Sequence, residues 1–117
     1  MATYSKVLLS GSTQGKQIKV VQTATAGTLI HTAVAGTSDL DEVWLYAVNS
    51  SASAVKLTIE WGQADAPDGN IEQTIAAESG LVLIVPGLLL QNELTVKAFA
   101  GSANVVLVSG FVNRITA

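Results

Sequence analysis

The stretch Val55–Trp61, VKLTIEW, is the clearest indication of how the chain folds. Its odd-numbered residues are valine, leucine, isoleucine and tryptophan, whereas its even-numbered residues are lysine, threonine and glutamate. Successive side chains of a β-strand point to opposite faces of a sheet, so this alternation predicts a strand with one buried and one solvated face. Residues 93–98 repeat the pattern. We therefore expect both strands to face solvent on their polar sides, which places the Glu60 carboxylate in water.

Turn-forming residues separate further segments of the same kind, at intervals of about ten residues. The segments between the turns are rich in valine, isoleucine, leucine and threonine, which favour strands. The predicted strands are residues 5–9, 17–22, 28–34, 42–48, 55–61, 71–75, 81–85, 94–99 and 105–112. We predict an all-β, single-domain β-sandwich or jelly roll of eight or nine short antiparallel strands over residues 1–117. Residues 1–19 form either an extended N-terminal arm or the first hairpin.

The composition argues against several classes of function. The chain has no cysteine and one histidine, which leaves few ligands for a transition metal. Its net charge is −3 and its six cationic residues are scattered, unlike the basic patch of a nucleic-acid-binding protein. The N-terminus lacks the apolar core of a signal peptide, and the longest apolar stretch, residues 81–90, is too short to span a bilayer. We expect no cofactor, no nucleic-acid partner and no membrane partner.

The charge content suggests that other chains cover part of the surface. Charged residues make up 13% of the sequence, against about 25% in an ordinary soluble domain. Residues 43–48 and 105–108 are apolar on both faces, although a two-layer sandwich buries only one face of each strand. Either a long loop or a neighbouring subunit covers the second face, and the low charge is the reason to consider the subunit equally with the loop.

Residues 86–92, PGLLLQN, are predicted to connect two strands. Three consecutive leucines are unusual in a solvated loop, so they either plug one end of the sandwich or form an exposed contact patch. Together with the doubly apolar strands they define the predicted oligomer interface. Its residues are Trp44, Tyr46, Leu88, Leu89, Val106 and Val108.

Residues 9–18, LSGSTQGKQI, look at first like a phosphate-binding loop. That motif requires four residues between its glycines and a serine or threonine after its lysine. Here three residues lie between Gly11 and Gly15, Gln17 follows Lys16, and a strand is predicted next in place of a helix. We interpret the segment as a flexible hairpin loop that joins the first two strands.

No catalytic constellation is predicted, and we expect that the protein is not an enzyme. His31 has no cysteine, second histidine or nearby acid that would complete a metal site or a triad, so we expect a hydrogen-bonded histidine in the core or at an interface. Asp65, Asp68 and Asn70 are possible calcium ligands, but the same residues equally form a good turn. The acidic segment 39–42 is open to the same two interpretations.

Three segments carry a resemblance to a known family: SKVLLSGSTQGKQIKV at 5–20, TAGTLIHTAVAGTSDLDEVWLYAVNSS at 25–51 and ELTVKAFAGSANVVLVSGFVNRI at 93–115. Over nearly its whole length the chain resembles the head decoration, or cement, proteins of bacteriophages, which are small all-β virion proteins. Such proteins typically form trimers on the outside of an icosahedral head and clamp neighbouring major capsid proteins. The resemblance implies a homotrimer, made in the host cytoplasm and located on the outer surface of the head, whose partner is the major capsid protein.

A capsid contact is predicted at the N-terminal segment, residues 2–19. A mostly uncharged terminus can become ordered when it docks onto a partner. The predicted capsid-contact residues are Tyr4, Lys6, Ser12, Thr13, Gln14 and Lys16.

The alternative function is a carbohydrate- or receptor-binding β-sandwich module of a phage tail fibre or baseplate. Such a module would display exposed, coplanar aromatic rings on which a sugar can stack. Trp44 and Trp61 are the strongest candidates, although both occupy apolar strand faces, where packing in the core is the competing interpretation.

Overall fold

The computed structural model describes residues 2–117, and within this range the chain forms nine β-strands and no helix. The strands are β1 (Thr3–Leu8), β2 (Ile18–Lys19), β3 (Thr28–Thr32), β4 (Leu40–Asn49), β5 (Val55–Trp61), β6 (Asn70–Ile75), β7 (Ser79–Leu90), β8 (Thr95–Ala100) and β9 (Val106–Thr116). Each predicted segment overlaps one of them, and the predicted all-β sandwich is confirmed. The described residues provide no helix long and apolar enough to cross a membrane.

Two antiparallel sheets form the sandwich. The first sheet has the order β1-β9-β4-β7, with β2 also paired to β9, and the second has the order β3-β8-β5-β6. Because β1 and β2 both run antiparallel to β9, they act as one strand interrupted by residues 9–17. The strand pairs are then nested along the chain, like a long hairpin rolled into a sandwich. From the outermost pair to the innermost they are β1/β2 with β9, β3 with β8, β4 with β7 and β5 with β6. This nesting is the jelly-roll arrangement.

The core lies between the sheets and follows the strand alternation. On β4, Val43, Leu45 and Ala47 are fully buried, while the residues between them are half-buried on the outward side. Val106 and Val108 of β9 are also fully buried. Their assignment to an oligomer interface is therefore wrong, because β9 is an interior strand of its sheet and these two valines point at the opposite sheet.

The predicted connection at residues 86–92 is largely strand. Residues 86–90 belong to β7, which lies at the edge of the first sheet, where a proline is tolerated. The pairing of β7 with β4 shifts register between Val43 and Trp44, opposite Leu88 and Pro86. Gly87, the residue after Pro86, has a φ of 81°, which favours glycine. A Cβ at this position would also lie 2.9 Å from Cζ2 of Trp44, so the position requires glycine.

The predicted first hairpin is also wrong, and residues 2–19 are not an extended arm. After β1 the chain leaves the first sheet and contacts β3 of the second, where the Gly11 N–H donates to Ile30 O at 2.9 Å. It then returns to β9 as β2. Within this loop the Ser12 hydroxyl donates to Lys16 O at 2.7 Å and the Lys16 N–H donates to Thr13 O at 3.0 Å. The loop therefore closes on itself and ties one edge of the sandwich together.

Candidate functional site

The outward side of the first sheet carries aromatic and aliphatic side chains where a solvated sheet would carry polar ones. The register places Trp44 opposite Phe111, and Tyr46 lies between Ser109 and Leu83. Directly paired residues share a face, so these side chains form one continuous surface. We call it the apolar face and define it by Tyr4, Leu8, Leu40, Trp44, Tyr46, Val48, Leu83, Leu89, Leu107, Phe111 and Ile115.

The centre of the apolar face is held in place by neighbouring groups. The rings of Trp44 and Phe111 are stacked with their centroids 6.1 Å apart, and the Lys6 ammonium lies 4.9 Å from the Phe111 centroid. The Trp44 indole N–H and the Asn113 amide each donate to Glu42 Oε1 at 2.8 Å. These two hydrogen bonds, that of Asn113 first, lower the pKa of Glu42 and favour its charged form. Contacts within the chain therefore hold these aromatic side chains in one arrangement.

The apolar face is large enough to form an interface. Four strands spaced about 4.8 Å apart, over ten residues that rise about 3.3 Å each, cover roughly 600 Å². Standard protein interfaces bury about 600–1,000 Å² on each partner, so this area lies at the lower end of that range. The charged side chains at outward positions of this sheet are Lys6, Lys19 and Glu42. The whole chain exposes 6046 Å², close to the value for a compact monomer of 12.1 kDa. The apolar face is therefore present on a compactly folded chain and does not result from incomplete folding.

The structure brings part of both predicted contact sets onto this one surface. Trp44 and Tyr46 of the predicted oligomer interface lie on it, as does Leu89, which is 51% exposed. Leu88 is exposed as well, but its register position opposite Val43 is on the other side of β7. From the predicted capsid contact, Tyr4 of β1 lies on the apolar face, and Lys6 lies beside it, over the Phe111 ring. The remaining predicted capsid-contact residues, Ser12, Thr13, Gln14 and Lys16, lie in the loop of residues 9–17.

A buried ion cluster joins the two sheets at Asp41, which is 0% exposed. The Arg114 guanidinium donates to both carboxylate oxygens, from Nε at 2.8 Å and from Nη2 at 3.0 Å. His31 Nε2 lies 2.8 Å from Oδ2, and the Val34 N–H donates to the same oxygen at 3.0 Å. Burial raises the pKa of Asp41, but the hydrogen bonds from Arg114 and His31 and the charge of Arg114 outweigh burial and leave it below its ordinary value.

The prediction that His31 has no nearby acid is therefore wrong. Asp41 follows His31 by ten positions and reaches it from the facing sheet. A signal was present in the sequence, because Asp41 has the same strand parity as Val43 and Leu45 and so had to point into the core. A carboxylate at such a position requires partners.

The spatial arrangement of a hydrolase triad, in which a serine contacts a histidine and the histidine contacts an aspartate, is found at Ser10, His31 and Asp41. Ser10 Oγ lies 3.2 Å from His31 Nδ1, on the ring side opposite Asp41. However, Nδ1 also accepts the backbone N–H of Ser10 at 3.0 Å, and Ser10 Oγ accepts the N–H of Thr32 at 2.6 Å. The lone pair that a general base would use is thus engaged with a backbone donor. The geometry fits a structural tie between loop 9–17, β3 and β4.

Glu60 is the second buried carboxylate, and its predicted exposure to solvent is wrong. It is 2% exposed, although it has the same strand parity as the exposed Lys56. The loop of residues 23–27 covers it: the Thr25 hydroxyl donates to Oε2, and the Gly27 N–H donates to Oε1 at 2.7 Å. Gly27 approaches β8 so closely that a Cβ would lie 2.5 Å from Ala98 O. Strand alternation does not reveal this cover, because it comes from a loop.

A cavity of about 120 Å³ opens beside Glu60 on the outward side of the second sheet. We call it the polar cavity and define it by its lining residues, Ala26, Glu60, Gln63, Ala64, Thr95 and Lys97.

The remaining candidate groups are not brought together. Within residues 2–117 no three His, Cys, Asp or Glu side chains are grouped so that they could hold a metal ion. Asp65 and its neighbours form a turn, in which the Gly69 N–H donates to Asp65 O at 2.8 Å. Trp44 lies on the first sheet, whereas Trp61 is on the second and packs against the core, so the two tryptophans do not form a common platform.

Comparison with known proteins gives no relative: no family model, no curated protein and no solved structure matches the chain. Jelly rolls serve in viral capsids and in lectins, among other roles, so the fold alone does not assign a function. Function has to be inferred from the apolar face, the ion cluster and the polar cavity.

Proposed function

We propose that the protein is a structural virion protein that self-associates, as a trimer, on the outside of a phage head and stabilises contacts between major capsid proteins. The observation that supports this proposal is the apolar face, whose Trp44–Phe111 stack is fixed by hydrogen bonds before any partner arrives. The phage head and the trimer come from the resemblance of the sequence to head decoration proteins.

Self-association is the simplest way to cover the apolar face. A patch rich in Trp, Tyr, Phe and Leu with few charges has the composition of an interface centre. If the face packs against a different surface of the next copy, the contact is heterologous and must close into a ring to avoid an open filament. A trimer satisfies that condition and leaves the other surfaces of each subunit available.

The loop of residues 9–17 is the proposed capsid contact. It lies along one edge of the sandwich, and its Thr13, Gln14 and Lys16 side chains are exposed. Its internal hydrogen bonds hold it in one conformation, so docking would order few additional residues.

Self-association is tested by sedimentation velocity on the wild type and on Leu83→Lys. Leu83 is 46% exposed and faces outward beside Tyr46, so a lysine there places a charge within the proposed contact without disturbing the core. We expect the dissociation constant to rise at least tenfold, which corresponds to about 1.4 kcal/mol. The matched control is Leu29→Lys, which changes a leucine that is 41% exposed on the outward side of the second sheet. A wild type that stays monomeric at micromolar concentration would refute the proposal.

Capsid binding is tested by co-sedimentation with DNA-free heads of the phage that encodes the chain. The double variant Thr13→Ala, Lys16→Ala should reduce the bound fraction while the oligomeric state stays as in the wild type. Lys56→Ala, on the second sheet, is the control for loss of a cation. Equal binding of the wild type and the double variant would remove loop 9–17 from the capsid contact.

A further inference from the structure

The polar cavity is built between two loops that are fixed to the strands beneath them. On one side, Gly27 packs against the backbone of β8 and holds Ala26 at the rim. On the other side, Gly69 approaches the segment of Gln63 so closely that a Cβ would lie 2.3 Å from Gln63 O. The Gly62 N–H also donates to Thr95 O at 2.9 Å, which ties this second loop to β8. The backbone of both loops is therefore held in position without a ligand.

Glu60 has hydrogen-bonding capacity that its protein contacts leave unused. A carboxylate offers about four acceptor positions, and Glu60 receives the Thr25 hydroxyl and the Gly27 N–H. Among residues 2–117 no cationic side chain forms an ion pair with it. A carboxylate this far from bulk water gains from every further donor, because the protein surroundings screen the interaction weakly. Glu60 is one of the residues that line the polar cavity.

Lys97 supplies the complementary group. It lies opposite Glu60 in the register between β5 and β8, and it lines the same cavity without contacting the carboxylate. The cavity thus offers an acceptor and a donor, together with the hydroxyl of Thr95 and the amide of Gln63, which can act as either. Adjacent hydroxyl groups of a ligand match this set, since each hydroxyl both donates and accepts.

The volume limits what can enter. About 120 Å³ is well below the roughly 300–1,000 Å³ that encloses a drug-sized ligand. One edge of a six-membered ring fits, with the rest of the molecule outside. The methyl groups of Ala26 and Ala64 would contact the C–H groups of that ring.

We propose that the polar cavity binds two neighbouring hydroxyl groups of a sugar ring, with Glu60 accepting from one and Lys97 donating to the other. This activity is independent of the proposed assembly, because the cavity and the apolar face lie on opposite sheets of the sandwich.

The test is titration of the full chain with glucose, galactose, mannose and N-acetylglucosamine, followed by saturation-transfer NMR and calorimetry. We expect at least one sugar to bind with a dissociation constant on the order of millimolar, which is typical of a few exposed hydrogen bonds. Glu60→Gln, which keeps the shape and one acceptor oxygen, and Lys97→Met should each weaken binding about tenfold, the equivalent of one charge-assisted hydrogen bond.

Matched controls are Glu72→Gln and Lys56→Met, which change a carboxylate and an ammonium of the exposed ion pair on the same sheet. Both should bind sugar as the wild type does. Urea unfolding of every variant identifies any loss of affinity that is only a loss of fold. The proposal is overturned if no sugar binds the wild type at about 100 mM, where even a weak site would be occupied. It is also overturned if Glu60→Gln and Lys97→Met bind normally, or if glycine binds and the sugars do not, which would indicate a site for zwitterions.

Discussion

Asp41 and Glu60 are both carboxylates withdrawn from water, but their partners differ in kind. Asp41 points between the sheets and is held by a guanidinium, an imidazole and a backbone N–H. Glu60 points outward from the second sheet and is held by a hydroxyl and a backbone N–H, both from one loop. The first carboxylate is neutralised by the protein, whereas the second is only hydrogen-bonded.

This difference separates a structural cluster from a candidate binding site. Asp41 is 0% exposed and accepts four hydrogen bonds, as many as a carboxylate has acceptor positions. Glu60 keeps free acceptor positions and borders a cavity. Burial of a charged group therefore does not by itself indicate a binding site. The better criterion is the number of hydrogen-bond acceptor positions that remain free after the protein's own hydrogen bonds are formed.

Arg114→Met should have the largest effect, because it leaves the Asp41 carboxylate buried without its main cation. We expect the free energy of unfolding, measured with urea, to fall by about 3–5 kcal/mol. Lys56→Met is the matched control: it breaks an ion pair whose side chains are 56% and 48% exposed, and it should change stability by no more than about 0.5 kcal/mol. Equal losses in the two variants would mean that burial does not distinguish these pairs.

Glu60→Ala should have the next largest effect. It removes the acceptor of the Thr25 hydroxyl and of the Gly27 N–H, so the unfolding free energy should fall by about 2 kcal/mol. The local consequence is loosening of loop 23–27, which faster amide hydrogen exchange at Gly27 would report. Glu72→Ala, at an exposed position on the neighbouring strand, is the control. Unchanged exchange at Gly27 would contradict the role of Glu60 as the anchor of this loop.

The strands could be predicted because they depend on alternation, which is local. The errors occurred where partners from elsewhere in the chain decide the outcome. Pro86 and Gly87 look like a turn, yet β7 continues through them, since an edge strand tolerates proline and Trp44 covers Gly87. Gly11 and Gly15 look like the ends of a hairpin loop, yet β1 and β2 both pair with β9, which is about 90–110 residues away in sequence.

The polar groups illustrate the same limit. The parity of Asp41 on β4 is visible in the sequence and predicts its burial, although it does not name Arg114 as the partner. The parity of Glu60 predicts exposure, and only the cover provided by loop 23–27 reverses it. The apolar face was partly predictable from Trp44 and Tyr46, whereas Phe111 joined it only through the register of β9 with β4.

Acid should weaken the fold through Asp41. The effect should be smaller than that of Arg114→Met or Glu60→Ala, because protonation removes the buried charge while all the hydrogen-bonding partners of Asp41 stay in place. The pKa of Asp41 is lowered from 3.8 in the folded chain, so the unfolded chain binds the proton more readily. The stabilisation is therefore complete above about pH 3.8 and is lost as the pH falls through the lower folded value.

Urea unfolding from about pH 7 to about pH 3 measures this loss. Glu42, whose pKa is also lowered, contributes over the same range, so the share of Asp41 is obtained by comparing the wild type with Arg114→Met. Without the guanidinium, the hydrogen bond and the charge that do most to lower the pKa of Asp41 are gone while burial still raises it. The decrease in stability with acid should then be smaller in Arg114→Met than in the wild type. Parallel pH profiles of the two proteins would show that Arg114 does not set the acid response of the buried carboxylate.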